Sequence, residues 1–290
     1  MPTLTGLLIW RRVCALGYFP LESYLSIHEL VDNAIICVDP ESADETVALA
    51  EAICRKYPKV RIVEFEWLKG LPNGTAIGIA SNYALAQAKG DFVVNIQADE
   101  VWSPELTKKV KTLWPVLASS MGIEAFEFKV LHIEFNGQQF QGGGDWQHQR
   151  GSAYTHSTKL WRNCPSYRFS PDAWSIQAQG PDGKWDEGNV KLKSRIVESE
   201  KWPILHLHDF FADTVMERRR VQAEELWPTT PHYGATYHAM KDGQGQWAGL
   251  FNDPKWEQTT APKQFMDLMP KNVVRHLGQS TYRIHWEDLQ

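Results

Sequence analysis

Near-continuous apolar runs alternate with amphipathic stretches along the first 120 residues. Thr5-Gly-Leu-Leu-Ile-Trp10, Asn33-Ala-Ile-Ile-Cys-Val-Asp39, Val60 to Phe65 and Asp91 to Ile96 are the apolar runs. Such runs mark strands covered on both faces. Between them, Pro20 to Val31, Asp44 to Tyr57 and Thr75 to about Ala88 carry apolar residues at helical spacing. Pro20 suits a first turn and Asp44 an N-cap. Strands alternating with helices predict an α/β fold with a mostly parallel, doubly wound sheet, in which ligands gather beyond the carboxyl ends of the strands.

The rhythm changes after residue 120. Glu124 to Phe135 alternates along one long strand with an antiparallel look, and Thr158 to Arg162 and Pro203 to Leu207 are short strand candidates. Asn136 to Gly151, with Gly142-Gly143-Gly144, reads as a mobile loop or hairpin. Asp213 to Trp227 reads as a helix. The final stretch is rich in Pro, Trp and Gly and predicts an irregular or helical extension. There is no internal repeat.

Composition narrows the class. Apolar residues make up 43% and charged ones 22% of 290 residues, as in a globular chain. The net charge is −5, with 11 Lys and Arg against 14 Asp and Glu before residue 121, and 19 against 21 after it. A dedicated nucleic-acid binder would be basic. The four cysteines are widely spaced, which points to a reducing, cytoplasmic setting. No run approaches the ~18 apolar residues of a membrane span, and Leu7 to Trp10 is too short for a signal segment. The odd count is tryptophan: four before residue 121 and nine after it. Core packing is the plain explanation.

The sharpest chemistry is Gln97-Ala-Asp99-Glu100, directly after the fourth strand. Acidic oxygens at that edge suit a divalent cation bridging a pyrophosphate. The plain alternative is a turn in which Asp99 or Glu100 caps the helix opened by Ser103-Pro104.

From Leu8 to Leu106 the chain resembles the family 2 glycosyltransferases with their GT-A-type nucleotide-sugar-binding fold. The likeness is carried by Ile-Ile-Cys-Val-Asp39 with Ser42-Ala-Asp44-Glu-Thr46, by Ser81-Asn82-Tyr-Ala-Leu-Ala-Gln-Ala-Lys-Gly-Asp91, and by Asn95-Ile-Gln97-Ala-Asp99-Glu100 in the place of an Asp-x-Asp motif. Gln97 replaces the first aspartate there, similar to a variant of one branch of the family. Further on, Pro203-Ile-Leu-His206-Leu-His208-Asp-Phe is similar to the family's histidine after a strand.

The resemblance implies a donor-binding half over residues 1–120 and an acceptor-side half with a C-terminal extension over 121–290. It implies Asp99 as a ligand of Mn2+ or Mg2+, with His206 or His208 as a second. Alternation puts both histidines on one face, so the sequence does not choose between them. Asp39 would hydrogen-bond the nucleotide base and Asp44 would organise that turn. Trp10, Arg11 and Trp67 would border the pocket, and Asn82 and Gln97 complete the donor side. Trp10 also reads as core, Arg11 as a surface charge and Asp44 as a cap. An inverting transfer needs a general base, and Asp172 in Arg168-Phe-Ser-Pro-Asp-Ala-Trp174 is the candidate, against Asp145, Asp186 and Glu187. Asp145 to His148 could instead belong to a loop that orders over bound donor.

The implied reaction moves a sugar from a nucleotide-diphosphate donor, a UDP-sugar first, to a hydroxyl of a glycan, a lipopolysaccharide core or another acceptor. A modified base in DNA remains as an acceptor only with a local basic groove. A non-catalytic sugar-binding scaffold is the alternative. A nucleotidyltransferase would need a Gly-rich basic loop where this chain has Trp10-Arg11-Arg12-Val-Cys14. Arg218 to Arg220 read as a solvated helix face or as contacts to departing phosphates. Trp146, Trp161, Trp174 and Trp185 fall among the candidate acids and would suit a glycan groove.

Overall fold

The computed structural model describes residues 2–120, 122–136, 139–142, 156–173, 175–186, 194–197, 204–208, 211–227, 269–277, 279 and 281–290. The first part follows the apolar pattern closely. Strands β1 (Leu4–Trp10), β2 (Asn33–Val38), β3 (Val60–Glu64) and β4 (Phe92–Asn95) alternate with helices α1 (Pro20–Ile27), α2 (Thr46–Lys56) and α3 (Thr75–Ala86). A three-residue strand β5 (Glu100–Trp102) and helix α4 (Pro104–Ser119) follow. The second part adds β6 (Ala125–Asn136), β7 (Gln139–Gly142), β8 (His156–Arg162), the pair β9 (Tyr167–Phe169) and β10 (Ile176–Ala178), β11 (Ser194–Val197) and β12 (Ile204–His208). Helix α5 (Ala212–Arg220) runs on into a π-helical stretch, Val221–Leu226. A short α6 (Lys271–Val274) and a 3-10 turn at Trp286–Leu289 complete the described elements.

Among the described residues the main sheet runs β3-β2-β1-β4-β8-β6-β12-β5. The first four strands are parallel, with Leu8 opposite Ile36 and Leu7 opposite Asn95. β8 enters antiparallel to β4 and β6. β6 has two partners on each side: its first half lies beside β8 and, in parallel, β11, and its second beside β7 and, in parallel, β12. The antiparallel expectation for this strand therefore holds for β7 and β8 only.

Strand alternation splits the core into two layers. Leu8, Trp10, Ile36, Val38, Val94 and Leu160 pack with α1, α2 and α4 on one face. Leu7, Ile35, Cys37, Val93 and Trp161 pack with Ala84, Leu85 and Phe169 on the other. The helix-capping alternatives at the turn after β4 are settled by Ser103, whose Oγ accepts from Leu106 N at 3.3 Å. α1 ends at Ile27, earlier than its apolar spacing predicts, because Leu30 and Val31 N–H groups turn back onto the Ile27 carbonyl.

Residues beyond 268 return to α1. The fully buried Glu22 carboxylate meets His276 Nε2 at 2.9 Å and accepts from Tyr282 Oη at 3.1 Å, with Arg275 Nη2 at 3.3 Å. Burial holds the Tyr282 phenol well above its ordinary pKa. The four cysteines are free thiols, and desolvation pushes Cys37 up to about 12, which leaves it an inert hydrophobe. No helix among the described residues is long and apolar enough to cross a membrane.

Candidate active site

The turn between β4 and β5 lies where a parallel sheet gathers its ligands. The carbonyls of Gln97, Ala98 and Asp99 each have a partner. Phe19 N donates to Ala98 O at 2.7 Å, Leu207 N to Asp99 O at 2.7 Å, and Glu100 N to Gln97 O at 3.0 Å. The buried Ser23 hydroxyl lies 2.6 Å from Glu100 O and 3.1 Å from both Gln97 O and Ala98 O. Having one proton, it donates to one of them at a time. The carboxylate of Glu100 turns inward to Lys159 Nζ at 2.6 Å and accepts from Gln97 N at 3.1 Å.

With its backbone so fixed, the turn presents Asp99 to β12. Asp99 Oδ2 stands 3.2 Å from His206 Nε2, and both side chains keep a small opening to solvent. Two ligands at ~2.1 Å on an octahedral cation stand about 3 Å apart when adjacent, so this pair has the spacing of neighbouring ligands. A carboxylate oxygen with an imidazole nitrogen suits Mn2+ and tolerates Mg2+. Among the described residues no group of three or more His, Cys, Asp and Glu surrounds such a position. The remaining ligands would have to come from donor oxygens and water. The side chain of His208 lies outside the described set.

A second cluster sits at the ends of β1 and β2. Asp39, 5% exposed, accepts from Glu41 N at 3.1 Å and faces Arg11 Nε at 3.3 Å. Arg11 also reaches Glu225 Oε2 at 2.8 Å and lies over the Trp67 ring, 5.5 Å from its centroid. Arg12, in the left-handed region at φ 51°, donates its N–H to Ser42 Oγ and its guanidinium to Glu217 at 2.8 Å. Asp44 accepts from Ala15 N at 2.7 Å and Thr46 N at 3.2 Å, tying the β1 loop to the start of α2. The expected roles of organiser and cap thus coincide in one side chain.

Residues 21–114 match the family model described as Glycosyl transferase family 2. The match covers 94 of the 290 residues. A sequence search of the curated proteins finds no match. Solved structures give partial likenesses. One is TarS from S. aureus in complex with UDP, at 13% identity, 77% of this chain, 64% of that one and a TM-score of 0.42. A mannosyltransferase from Pyrobaculum calidifontis in complex with GDP-Man and Mn2+ has 20% identity, 43% and 34% coverage, and a TM-score of 0.33. Glucosyl-3-phosphoglycerate synthase from Mycobacterium tuberculosis, with Mn2+, UDP and phosphoglyceric acid, has 24% identity, 45% and 43% coverage, and a TM-score of 0.31. The chain spans less than two thirds of each of the three.

Asp39, Trp67, Gln97 and Asp99 follow the ends of their strands, Asp44 stands at the start of α2, and Arg11 joins them just after β1. Trp10 does not. It is fully buried in the core, because alternation on β1 turns it with Leu8 toward α1 and α2. Asn82 places both ends of its amide on the backbone of Phe169, at 2.8 and 3.1 Å, and so clamps α3 to β9. Gly78 allows that approach: a Cβ there would lie 2.1 Å from Pro171 O.

This clamp seats the Asp172 loop against α3 at Gly78 and Asn82. Ser170 Oγ donates to Asp172 Oδ1 at 2.6 Å and accepts from Ser175 N at 3.0 Å. Of the competing acids, Asp186 is engaged by Ala178 N, while Asp145 and Glu187 lie outside the described residues, as does the Asp145 to His148 loop. Trp161 is buried in the second core layer against Phe169, so it does not line a groove. Trp185 lies under the Arg168 guanidinium at 4.2 Å, and Trp146 and Trp174 fall outside the described set.

Of the arginine run, Arg218 is internal, while Arg219 and Arg220 are half-buried. Arg218, 2% exposed, donates to Leu16 O and Gly17 O and covers the Tyr18 ring. Arg219 bonds Gln222, and Arg220 is held by Glu217, Glu224 and Glu225. Sequence reasoning passed over Ser23, Lys159 and Glu225. Of these only the acidic pair Glu224-Glu225, one turn beyond three arginines, left a signal.

Proposed function

We propose that this chain is a nucleotide-sugar-dependent glycosyltransferase, with residues 1–120 binding the donor and 121–290 forming the acceptor side. The observation that carries the reading is the Asp99–His206 pair, 3.2 Å apart at the edge of the family 2 segment. When bound there, Mn2+ or Mg2+ neutralises charge on the departing diphosphate.

This chain's residues do the rest. Asp39 is an acceptor of base N–H groups, which favours uracil over bases that present a ring-nitrogen acceptor at that edge. Arg11 and Trp67 border the base. Asp172 takes the proton of the acceptor hydroxyl as its oxygen bonds to the anomeric carbon and the bond to the diphosphate oxygen breaks. Attack opposite the leaving group inverts the anomeric centre. The acceptor is a hydroxyl-bearing glycan or related molecule.

Thermal shift with a panel of nucleotide sugars and Mn2+, followed by mass analysis of products, tests the reading. A UDP-sugar should give the largest shift and be consumed, and Asp99→Ala should abolish consumption. Stabilisation without turnover in the wild type would favour the binding scaffold. No response to any nucleotide sugar would remove the reading altogether.

A further inference from the structure

Lys159 has no place in the reaction outlined above, yet among the described residues it is one of two buried Lys and Arg side chains. Its side chain is 6% exposed and that of Glu100, its partner, 3%. Burying such a pair gains little: an apolar pair of the same volume commonly folds as well or better. A buried ion pair is therefore poorly explained by stability alone. Its position is informative.

β8 and β6 slip register here. Phe126 faces Leu160, but Glu127 faces Thr158, so Lys159 is the extra residue of a β-bulge. A bulge re-aims the side chain it carries. The ammonium lands under the β4–β5 turn, on the Glu100 oxygen that does not serve Gln97 N. The other Glu100 oxygen accepts that N–H, so one carboxylate joins the bulge to the first residue of the turn. Glu100 is thereby neutralised and turned inward. Asp99, between the two anchored residues, is left to face His206.

We propose that Lys159 is a positioning residue for the cation site: through Glu100 it sets the turn so that Asp99 and His206 hold ligand spacing before donor or cation arrives. This rests on the glycosyltransferase reading of the same site. An arrangement formed in advance saves the cost of ordering it on binding. Loss of the pair should weaken the cation and spare the nucleotide's own contacts at Asp39.

The test measures Mn2+ affinity by electron paramagnetic resonance at saturating UDP, and UDP affinity by calorimetry without metal. Removing Lys159 alone would strand a buried carboxylate, so the variant is the double K159M/E100Q, with Glu100→Asp as a second that keeps both charges but shortens the reach. Either one, with a native melting profile, should lose about tenfold or more in Mn2+ affinity while UDP binding without metal stays within about twofold. Should the double variant fail to fold, Glu100→Asp alone decides. Mn2+ affinity unchanged in a folded variant, while Asp99→Ala and His206→Ala lose it, overturns the positioning role and leaves the site intact. If the wild type binds Mn2+ no better than Asp99→Ala, the site reading fails and the positioning role with it.

Discussion

The cation turn and the base-side cluster are both built at strand ends, but they are held by different means. At residues 97–100 the backbone is fixed from below by Ser23, Phe19 and Leu207 and by a buried ion pair. Around Asp39 the fixing is done by side-chain charges, Arg11 and Arg12 against Glu217 and Glu225, on a helix some two hundred residues away. A turn fixed by backbone hydrogen bonds and a buried pair keeps its geometry when a side chain outside that scaffold, such as that of Asp99, is removed. A site fixed by half-exposed ion pairs can exchange partners, because each pair is individually weak.

The contrast can be broken most severely at Asp99. Asp99→Ala should lower sugar transfer by about 10³-fold while the melting temperature moves by no more than about 2 °C, because the carbonyls of Gln97, Ala98 and Asp99 are held by Glu100, Phe19 and Leu207 N–H groups. Donor-consumption kinetics and a thermal melt check both halves. Asp39→Ala comes next. It removes a charged hydrogen-bond acceptor, worth ~1.5–3 kcal/mol, so UDP should bind about ten- to a hundredfold more weakly by calorimetry.

Glu225→Gln is subtler. Arg11 would settle on Asp39 alone, and UDP affinity should fall by about two- to fivefold, in keeping with a half-exposed pair. Unchanged affinity would show that Arg11 does not couple the two carboxylates.

The smallest effect is in acid. The Arg220 hydrogen bond, seconded by Arg12, lowers Glu217 to about 2 from its ordinary value of 4.5. A carboxylate with a depressed folded pKa adds stability above its unfolded pKa and loses it as pH falls. The hold of α5 on the β1 loop should therefore weaken between about pH 4.5 and 2. Hydrogen exchange in residues 12–17 should quicken over that window, and Glu217→Gln should flatten the dependence.

The same contrast decides what could be read in the sequence. The strands of the parallel half announce themselves because a strand covered on both faces has to be apolar throughout, and Asp39 and Asp99 stand out as charges at the ends of such runs. His206 and His208 could be placed at a strand end, and the 3.2 Å distance to Asp99 that shows His206 as its neighbour is a matter of tertiary structure. β5 escaped because three residues are too few to show a period. Lys159 escaped because a bulge is a matter of register between two strands, which neither strand's own pattern records. Trp10 and Trp161 have the composition of pocket walls, and only the layer each faces assigns them to the core. Arg218 to Arg220 have the pattern of a wet surface, and the burial of Arg218 is imposed by the loop after β1, which precedes it by two hundred residues.

The tie between Glu22 and residues 275–282 has a bearing on the order of folding. Its partners lie 254 and 260 residues apart in the chain, among the longest separations in the molecule. On a ribosome α1 would be made early, yet the partners described for Glu22 emerge only with residues 275–282. Contacts this distant come late and are closed against a large loop entropy. The nascent first half would thus wait with a hydrated α1 face, and the return of the far segment would be what seals it.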